Sequence, residues 1–395
     1  MSAMGKKRFA VLGYGTVGKA VCRVWDELAD APLEQGPILV RRAQEPDAFS
    51  GLMTDRFDAI EADPTVTVVA EVMGGTDDAW EYSRRALLAG KSVVSSNKAL
   101  AAARGAELCA LAHRMGVSYR FEAAVCGGVP LLAPLTESLA ANRVDELCGI
   151  FNGTTNYILT AMRRGGVSYA ESLSQAQALG YAEADPTADV QGHDAGRKTA
   201  LLGSLAFGKS IRYDAMHVAG ISEIAPVDLE LADALGFSLK LLGRTGRAPE
   251  GLYAFVQPHL VPRSALLSSV DGVMNACLIR ASAAGELMFY GPGAGGRPTA
   301  SAVCADILAA ARHPGDCMEL SAEHAALLPE KKLVSRWYIR AESEPGPLLA
   351  AFPSARPVYG TGGGCAFITE PCRRTELGEK LRAANAVRAW RVLDI

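Results

Sequence analysis

Residues 8–21, RFAVLGYGTVGKAV, run from a short apolar strand into a glycine turn and out into a helix. Val17, Val21, Val24 and Leu28 then recur at helical spacing. Three glycines at this spacing carry meaning only in that strand–turn–helix setting. There Gly13 permits the tight turn, Gly15 lets the backbone approach a pyrophosphate, and Gly18 lets helix and strand pack closely. Thr16 and Val17 open the helix, whose first N–H groups face the phosphates. A glycine-rich turn in another kind of α/β protein has the same letters. The stretch predicts an α/β chain with a Rossmann-type nucleotide-binding domain.

The next strand is read as PILVRR, residues 37–42. An NAD-preferring site places an acid at this strand end for the ribose hydroxyls. Arg41 and Arg42 stand there instead and suit a 2′-phosphate, so NADP(H) is preferred over NAD(H). Two solvated arginines are the alternative. The segment between 42 and 65 leaves little room for a full extra helix and strand. VTVVAEVMGG (66–75) reads as a buried strand ending in a glycine pair that brings Gly74 to the cofactor side. A helix over 78–89 follows, then the strand KSVVSSNKAL. Asn97 and Lys98 lie at its carboxyl end, where open α/β sheets hold ligands. A helix near 104–115 and the strand VSYRFEAAV complete the alternation.

Composition narrows the function classes. The chain has 395 residues, 49% apolar and 21% charged, with a formal net charge of −3, which excludes disorder and a nucleic-acid footprint. Its length suits two or three domains. No run of 18 uncharged apolar residues occurs, and the opening MSAMGKKRFAVLGYG lacks a signal-peptide hydrophobic region, so a cytoplasmic location with no membrane partner is expected. Nine cysteines at irregular spacing without CxxC read as reduced core residues. The six histidines show no HExxH, which argues against zinc.

After Cys126 the texture changes. CGGVPLLAPLTESL suggests a helix starting at Pro130. CGIFNGTTNYILTAM (148–162) reads as strand, polar turn and amphipathic helix. Asn152, Thr154, Thr155 and Asn156 cap that helix or line a pocket, and capping explains two of the four. GYAEADPTADVQGHDAGRKTA (180–200) then sets Glu183, Asp185, Asp189 and Asp194 before Lys198. The segment is a loop up to Gly192 and helical from about Gln191, so Asp194 and Lys198 share a face. An ammonium and a carboxylate on one turn, beside further carboxylates, can bind an amino-acid ammonium and move a proton. A surface i,i+4 ion pair is the bland alternative.

Farther on, 217–245 read as strand, helix and strand, and the runs around 252–262 and 268–282 as antiparallel strands. MFYGPGAGGRPTASAVCADILAAAR (288–312) reads as a glycine turn and a long helix from about Pro298, the turn either setting Gly293 against a cofactor or carrying its glycines for closure alone. Residues 313–332 read as a linker, and the tail as strand–strand–helix–strand, with PGPLLAAF barely long enough for two helical turns.

Taken together, these motifs resemble the homoserine dehydrogenase family: GYGTVG (13–18), EVMGG (71–75), SNKAL (96–100), EAAVCGGVP (122–130), NGTTNYIL (152–159), GYAEADPTADVQGHDAGRK (180–198) and GPGAGGRPTASAV (291–303). The resemblance covers about residues 8–312. It implies reversible NAD(P)H-dependent reduction of L-aspartate 4-semialdehyde to L-homoserine, toward threonine, methionine and isoleucine, by a homodimer. It implies an NAD(P)-binding domain at 1–130, to which the helix near 298–312 returns. An α/β catalytic and dimerisation domain at 131–297 follows, then the linker and a small α+β ACT-like module at 333–395.

The same resemblance gives Lys198 the proton exchange with the substrate oxygen, makes Lys98 a second active-site lysine, and casts Asp194 as the electrostatic partner of Lys198. Substrate contacts fall to Glu183, Asp189, Asp194, Tyr181 and Thr154. A monovalent cation, usually sodium, would take the Glu122 side chain and the carbonyls of Val125, Gly127 and Val129. Three departures stand out. Cys126 replaces a usual glycine or alanine and crowds that turn. Tyr14 occupies a variable fingerprint position and should project away from the phosphates. The tail has little material between Ile339 and Gly362 for a complete ACT domain, which disfavours allosteric threonine binding.

Residue chemistry and resemblance converge. Negative charge grows on the carbonyl oxygen during hydride transfer, and an ammonium within reach stabilises it and donates the proton. Carboxylates around Lys198 favour its charged form, while desolvation favours the neutral one. Two rival readings remain at this point: a related amino-acid or semialdehyde oxidoreductase, and a non-catalytic nucleotide-binding sensor.

Overall fold

The computed structural model describes residues 6–42, 45–342, 346–361, 364–384 and 386–394. Gly362, the endpoint of the tail spacing above, lies outside them. The chain divides into two compact units. Unit 1 comprises Met1–Arg143, Ala200–Ile211 and Gly291–His324. Unit 2 comprises Val144–Thr199, Arg212–Tyr290 and Ala325–Ile395.

Unit 1 is built on six parallel strands: β1 (Arg8–Leu12), β2 (Glu34–Leu39), β3 (Met53–Thr54), β4 (Val66–Glu71), β5 (Ser92–Ser95) and β6 (Tyr119–Arg120). Their spatial order is β3–β2–β1–β4–β5–β6, the doubly wound order of dinucleotide-binding sheets. The connecting helices are α1 (Thr16–Asp26), α2 (Phe57–Ala62), α3 (Asp77–Leu88) and α4 (Lys98–Met115). α1 buries Gly18, Val21, Cys22 and Trp25. The Trp25 ring lies 4.6 Å from that of Phe9 on β1, and its indole N–H donates to the Leu33 carbonyl at 3.2 Å. Removing so large a buried ring costs about 3–5 kcal/mol, so Trp25 anchors the glycine turn to the sheet. Leu28 falls beyond the end of α1 and is exposed. The helix Gly296–Arg312 packs on α1, where Cys304 approaches the Val21 carbonyl and Arg297 pairs with Glu27 at 2.8 Å.

The segment 42–65 holds only a two-residue strand and a six-residue helix, as its short length led one to expect. Three local expectations are corrected. α4 starts at Lys98 rather than near 104, because Asn97 Oδ1 accepts from the Leu100 N–H at 3.1 Å and nucleates it early. The strand expected over 117–125 is only Tyr119–Arg120. The Glu122 N–H goes to the Asp306 carboxylate at 2.8 Å instead of to a neighbouring strand. Helical turns start at Leu132, not Pro130, since Glu122 Oε1 accepts from the N–H groups of Leu131 and Leu132 and Oε2 from that of Ala133.

Unit 2 carries one large mixed sheet. Its order begins with Gly285–Pro292, Met274–Ala281, Val144–Ile150, Phe237–Ala248 and Gly251–Pro262. It continues through Ala386–Val392, Trp337–Ala341, Cys365–Ile368 and Val358–Tyr359. Phe237–Ala248 and Gly251–Pro262 form a long antiparallel hairpin, from Gly251 opposite Ala248 to Pro262 opposite Phe237. The tail extends this sheet: Ala386–Val392 lies parallel to Gly251–Pro262 (His259 opposite Arg391) and antiparallel to Trp337–Ala341. With the helices Gly346–Ala351 and Arg374–Ala383 it makes a small α+β module around Trp337, Ile339, Leu348, Phe367 and Leu377. Among the described residues, the short stretch after Ile339 holds the end of the strand Trp337–Ala341, a six-residue helix and a two-residue strand.

Candidate active site

In unit 1 the glycine turn opens into a cleft of about 560 Å³ lined by Gly13, Gly15, Arg41, Arg42, Met73 and Gly74, among others. Gly13 has φ +100°, which a side chain would strain. A Cβ on Gly18 would sit 2.1 Å from the Gly13 carbonyl oxygen, so only glycine lets α1 begin this close to β1. A Cβ on Gly15 would meet nothing within 4 Å, which leaves that side of the turn open for a ligand. Thr16 and Val17 follow in the first turn of α1. Tyr14, expected to project away, also lines the cleft, and its hydroxyl donates to Asp47 Oδ2 at 2.6 Å. Arg41 and Arg42 lie just past β2, and Arg41 rests on Asp78 at 3.2 Å, both exposed. One cleft thus joins the glycine turn to two guanidinium groups.

A buried chain of hydrogen bonds ties the ends of β4 and β5 together. Ser95 Oγ donates to Glu71 Oε2 at 2.6 Å, while Glu71 Oε1 accepts from the Met73 N–H at 2.9 Å. Burial pushes the Glu71 carboxyl pKa above its ordinary value. Asn97 donates from Nδ2 to the Gly75 carbonyl at 2.6 Å, linking the glycine pair to the start of α4, where Lys98 stands.

The turn after β6 has unusual backbone. Cys126 has φ +55°, the only positive φ of a non-glycine residue among those described, and Gly127 follows at +45°. A Cβ on Gly127 would lie 2.8 Å from the Gly293 carbonyl oxygen, so these two expected site glycines abut. Glu122 spends three lone-pair positions on backbone N–H groups, which leaves one for any cation. Among the described residues no three His, Cys, Asp or Glu side chains cluster as metal ligands.

In unit 2, Asp194 and Lys198 sit in the first two turns of the helix His193–Phe207. Lys198 Nζ lies 2.9 Å from Asp194 Oδ2 and donates to the Phe151 carbonyl at 2.8 Å. Asp194 is 3% and Lys198 9% exposed, so the pair is not the surface bridge that spacing alone allows. Asn152 completes the group. It caps the helix Gly153–Gly165 through Oδ1, accepting from the Thr155 N–H at 2.9 Å. Its Nδ2 donates to Asp189 Oδ1 at 2.7 Å and to Asp194 Oδ2 at 2.9 Å. Both amide N–H groups and one of the two carbonyl lone pairs are thus spent between two acids and a helix end.

Thr154 Oγ1 donates to the Tyr181 carbonyl at 2.7 Å, and the Tyr181 ring lies 5.1 Å from that of Tyr157. Glu183 and the Tyr181 side chain are exposed rather than gathered into the Asp194 group. Asn156 serves elsewhere, donating to the Val270 and Met274 carbonyls at 3.0 and 3.1 Å. In the sequence Asn152 is one of four polar residues around a helix start; its second role depends on acids 37 and 42 residues away.

Comparison with known proteins identifies the architecture. Residues 13–122 match the family model described as homoserine dehydrogenase, NAD binding domain, and residues 130–308 the model described as homoserine dehydrogenase. The chain is 40% identical over 360 residues to the homoserine dehydrogenase of Neisseria gonorrhoeae, covering 86% of this chain and 82% of that protein. It is 46% identical over 327 residues to that of Corynebacterium glutamicum, covering 79% and 73%. The crystal structure of a homoserine dehydrogenase from Thiobacillus denitrificans superposes with a TM-score of 0.89 at 33% identity, over 98% of each chain. The chain belongs to the homoserine dehydrogenase family, NAD(P)-dependent oxidoreductases of threonine, methionine and isoleucine biosynthesis.

Proposed function

We propose that Lys198 exchanges the proton with the substrate oxygen, with L-homoserine and L-aspartate 4-semialdehyde as the substrate pair. The observation that carries this reading is the buried Asp194–Lys198 pair held by Asn152. Bound nicotinamide supplies or accepts the hydride at the carbon bearing that oxygen. In the reductive direction Lys198 stabilises the charge growing on the oxygen and gives it a proton. Asp189 and Asp194 offer negative charge to the substrate ammonium, with Asn152 holding them in place. Glu183, Tyr181 and Thr154 frame the same loop, and we assign them to substrate contacts made as it settles on the ligand.

For the cofactor we propose NADP(H) over NAD(H). Gly13, Gly15, Thr16, Val17 and Gly18 would hold the pyrophosphate, Arg41 and Arg42 the 2′-phosphate, and Gly74, Asn97, Lys98 and Gly293 the nicotinamide side. One solved homoserine dehydrogenase, from a hyperthermophilic archaeon, is described as a complex with NADPH (TM-score 0.66, 26% identity, 77% of this chain and 97% of that one). A monovalent cation fits better than a divalent one at Glu122. The carbonyls of Val125, Gly127 and Val129 are neutral donors, and Glu122 would be the one carboxylate in that set. Such an ion would brace the turn beside Gly293. We also assign 1–130 to cofactor binding, 131–297 to catalysis and homodimer formation, and 333–395 to a shortened ACT-like module.

The experiment is the reduced-nicotinamide absorbance assay with L-homoserine and either NADP or NAD. Faster reduction of NADP supports the arginine assignment. Equal or faster reduction of NAD removes it. Reduction of neither, by folded protein that binds cofactor, removes the proton-transfer assignment.

A further inference from the structure

A second cavity in unit 2, of about 370 Å³, lies against the tail module. Its lining includes Gln191, Ser222, Gln257, Trp337, Arg374 and Trp390. Gln257 is 8% exposed, and its buried Nε2 has no hydrogen-bond partner among the described residues. Native structures rarely leave such a donor empty, because it keeps the desolvation cost without return. Arg374 stacks on the Trp337 ring at 5.6 Å and, among the described residues, makes no ion pair. Burial pulls its pKa below the ordinary value. The acids at the rim are already engaged: Glu330 pairs with Arg391 at 2.7 Å and Glu223 lies 3.7 Å from Arg388. The cavity therefore offers donors and positive charge beside Trp390.

We propose that this cavity binds a small organic carboxylate. Its anionic end meets Arg374 and the Gln257 amide, and its apolar body lies against Trp390. This site is separate from the acidic substrate group, whose charges attract the ammonium end of a ligand.

The wall of the cavity also reaches that group. The Ile221 N–H donates to the Val190 carbonyl at 2.8 Å, and Gln191 Nε2 donates to Ser222 Oγ at 3.2 Å. A Cβ on Gly220 would lie 2.0 Å from the Val190 oxygen, so the two segments are in backbone contact. Val190 and Gln191 stand between Asp189 and Asp194. A ligand that shifts Ser222 or Gln191 thus moves the segment carrying the substrate acids, and occupancy changes the apparent affinity for homoserine.

The test titrates the whole protein with benzoate at constant ionic strength, following tryptophan emission and the KM for homoserine. A saturable emission change is expected, with a KM shift of at least twofold. Arg374→Gln and Gln257→Leu should each weaken benzoate binding by about tenfold, the loss of one charge-assisted or buried hydrogen bond, while kcat without benzoate is unchanged. A non-saturable response overturns the site, as does an equal response to propylammonium. Benzoate inhibition retained in both variants and competitive with homoserine places the probe in the substrate group and overturns it too. Saturable binding lost in both variants with no KM shift in the wild type keeps the site and overturns its coupling to the 189–194 segment.

Discussion

Lys198 and Asp194 face each other across one turn of helix, Nζ to Oδ2 at 2.9 Å, and both are nearly dry. A pair so placed differs from the exposed bridges on this protein, which contribute little to stability. Removing one partner strands the other charge, at a cost of about 3–5 kcal/mol where nothing else compensates. Here Asn152 still donates to Asp194, so a protein lacking the lysine should remain folded.

The first prediction concerns Lys198 itself. Lys198→Ala should lower kcat by about 10²–10⁴, the usual contribution of a positioned proton donor, while the Kd for NADPH stays within about twofold. Steady-state kinetics and cofactor fluorescence titration separate the two. A kcat equal to wild type in a folded variant would remove the role given to the lysine.

Asn152→Asp tests the amide between the two acids. Aspartate caps a helix as well as asparagine does, so the thermal midpoint should change little. A third carboxylate facing Asp189 and Asp194 replaces two attractions with two repulsions, and kcat/KM for homoserine should fall at least about tenfold. Asn152→Ala should instead cost about 1 kcal/mol of stability through the lost cap. Should the aspartate variant match wild-type kcat/KM, Asn152 is a cap and nothing more.

Cofactor choice is expected to rest on the residues after β2. Replacing Arg41 and Arg42 together by alanine should raise the KM for NADP by about 10–100-fold, as for one or two lost charge-assisted contacts. The KM for NAD should remain within about twofold. Parallel losses with both cofactors would mean that the arginines support the cleft without reading the phosphate.

Cys126 holds a left-handed backbone at φ +55°. Cys126→Gly should relieve about 1 kcal/mol of strain and shift the urea midpoint upward. A lowered midpoint would show that the buried thiol contributes more packing than the strain costs.

His259 supplies a pH prediction. It is fully buried, its Nδ1 is 2.8 Å from the Gln257 carbonyl, and its ring stacks on Phe255 at 5.9 Å. Burial is the largest cause holding its pKa well below 6.5, and the positive charges of Arg244 and Arg391 add to it. The unfolded chain takes up a proton near pH 6.5 that the folded chain refuses, so this contribution is complete above that pH and is lost as pH falls below it. Between pH 7 and 5 the loss approaches about 1.4 kcal/mol per pH unit for one such group. His259→Asn should flatten the fall by about that amount in urea titrations at the two pH values. Parallel slopes would show that the imidazole is protonated in the folded protein.

The glycine turn was readable because everything it needs is local: a strand before it, a helix after it, and glycines whose spacing matches the geometry. The Asp194–Lys198 pair was readable as a pair, since four residues make one turn, but its burial was not. Burial comes from Asn152 and the Phe151 carbonyl, more than forty residues upstream. The helix start at Leu132 was missed for a similar reason, because its cap is the Glu122 carboxylate and proline statistics know nothing of it. Asn156 looked like a site residue because polarity on a helix does not say which network it enters. The tail's place within the unit 2 sheet was equally hidden, because periodicity identifies a strand but not its neighbour.

The strand Ala386–Val392 lies inside the unit 2 sheet, between Gly251–Pro262 and Trp337–Ala341. This has a consequence for biosynthesis. During translation the hairpin ending at Pro262 leaves the ribosome long before the partner of His259 and Leu260 has been made. Until then that flank presents unmatched backbone groups to whatever strand it meets, including one from another nascent chain. The enzyme therefore finishes its sheet only when residue 392 has cleared the exit tunnel. Holding the flank safe in the interval is a task for chaperones or for slow early collapse.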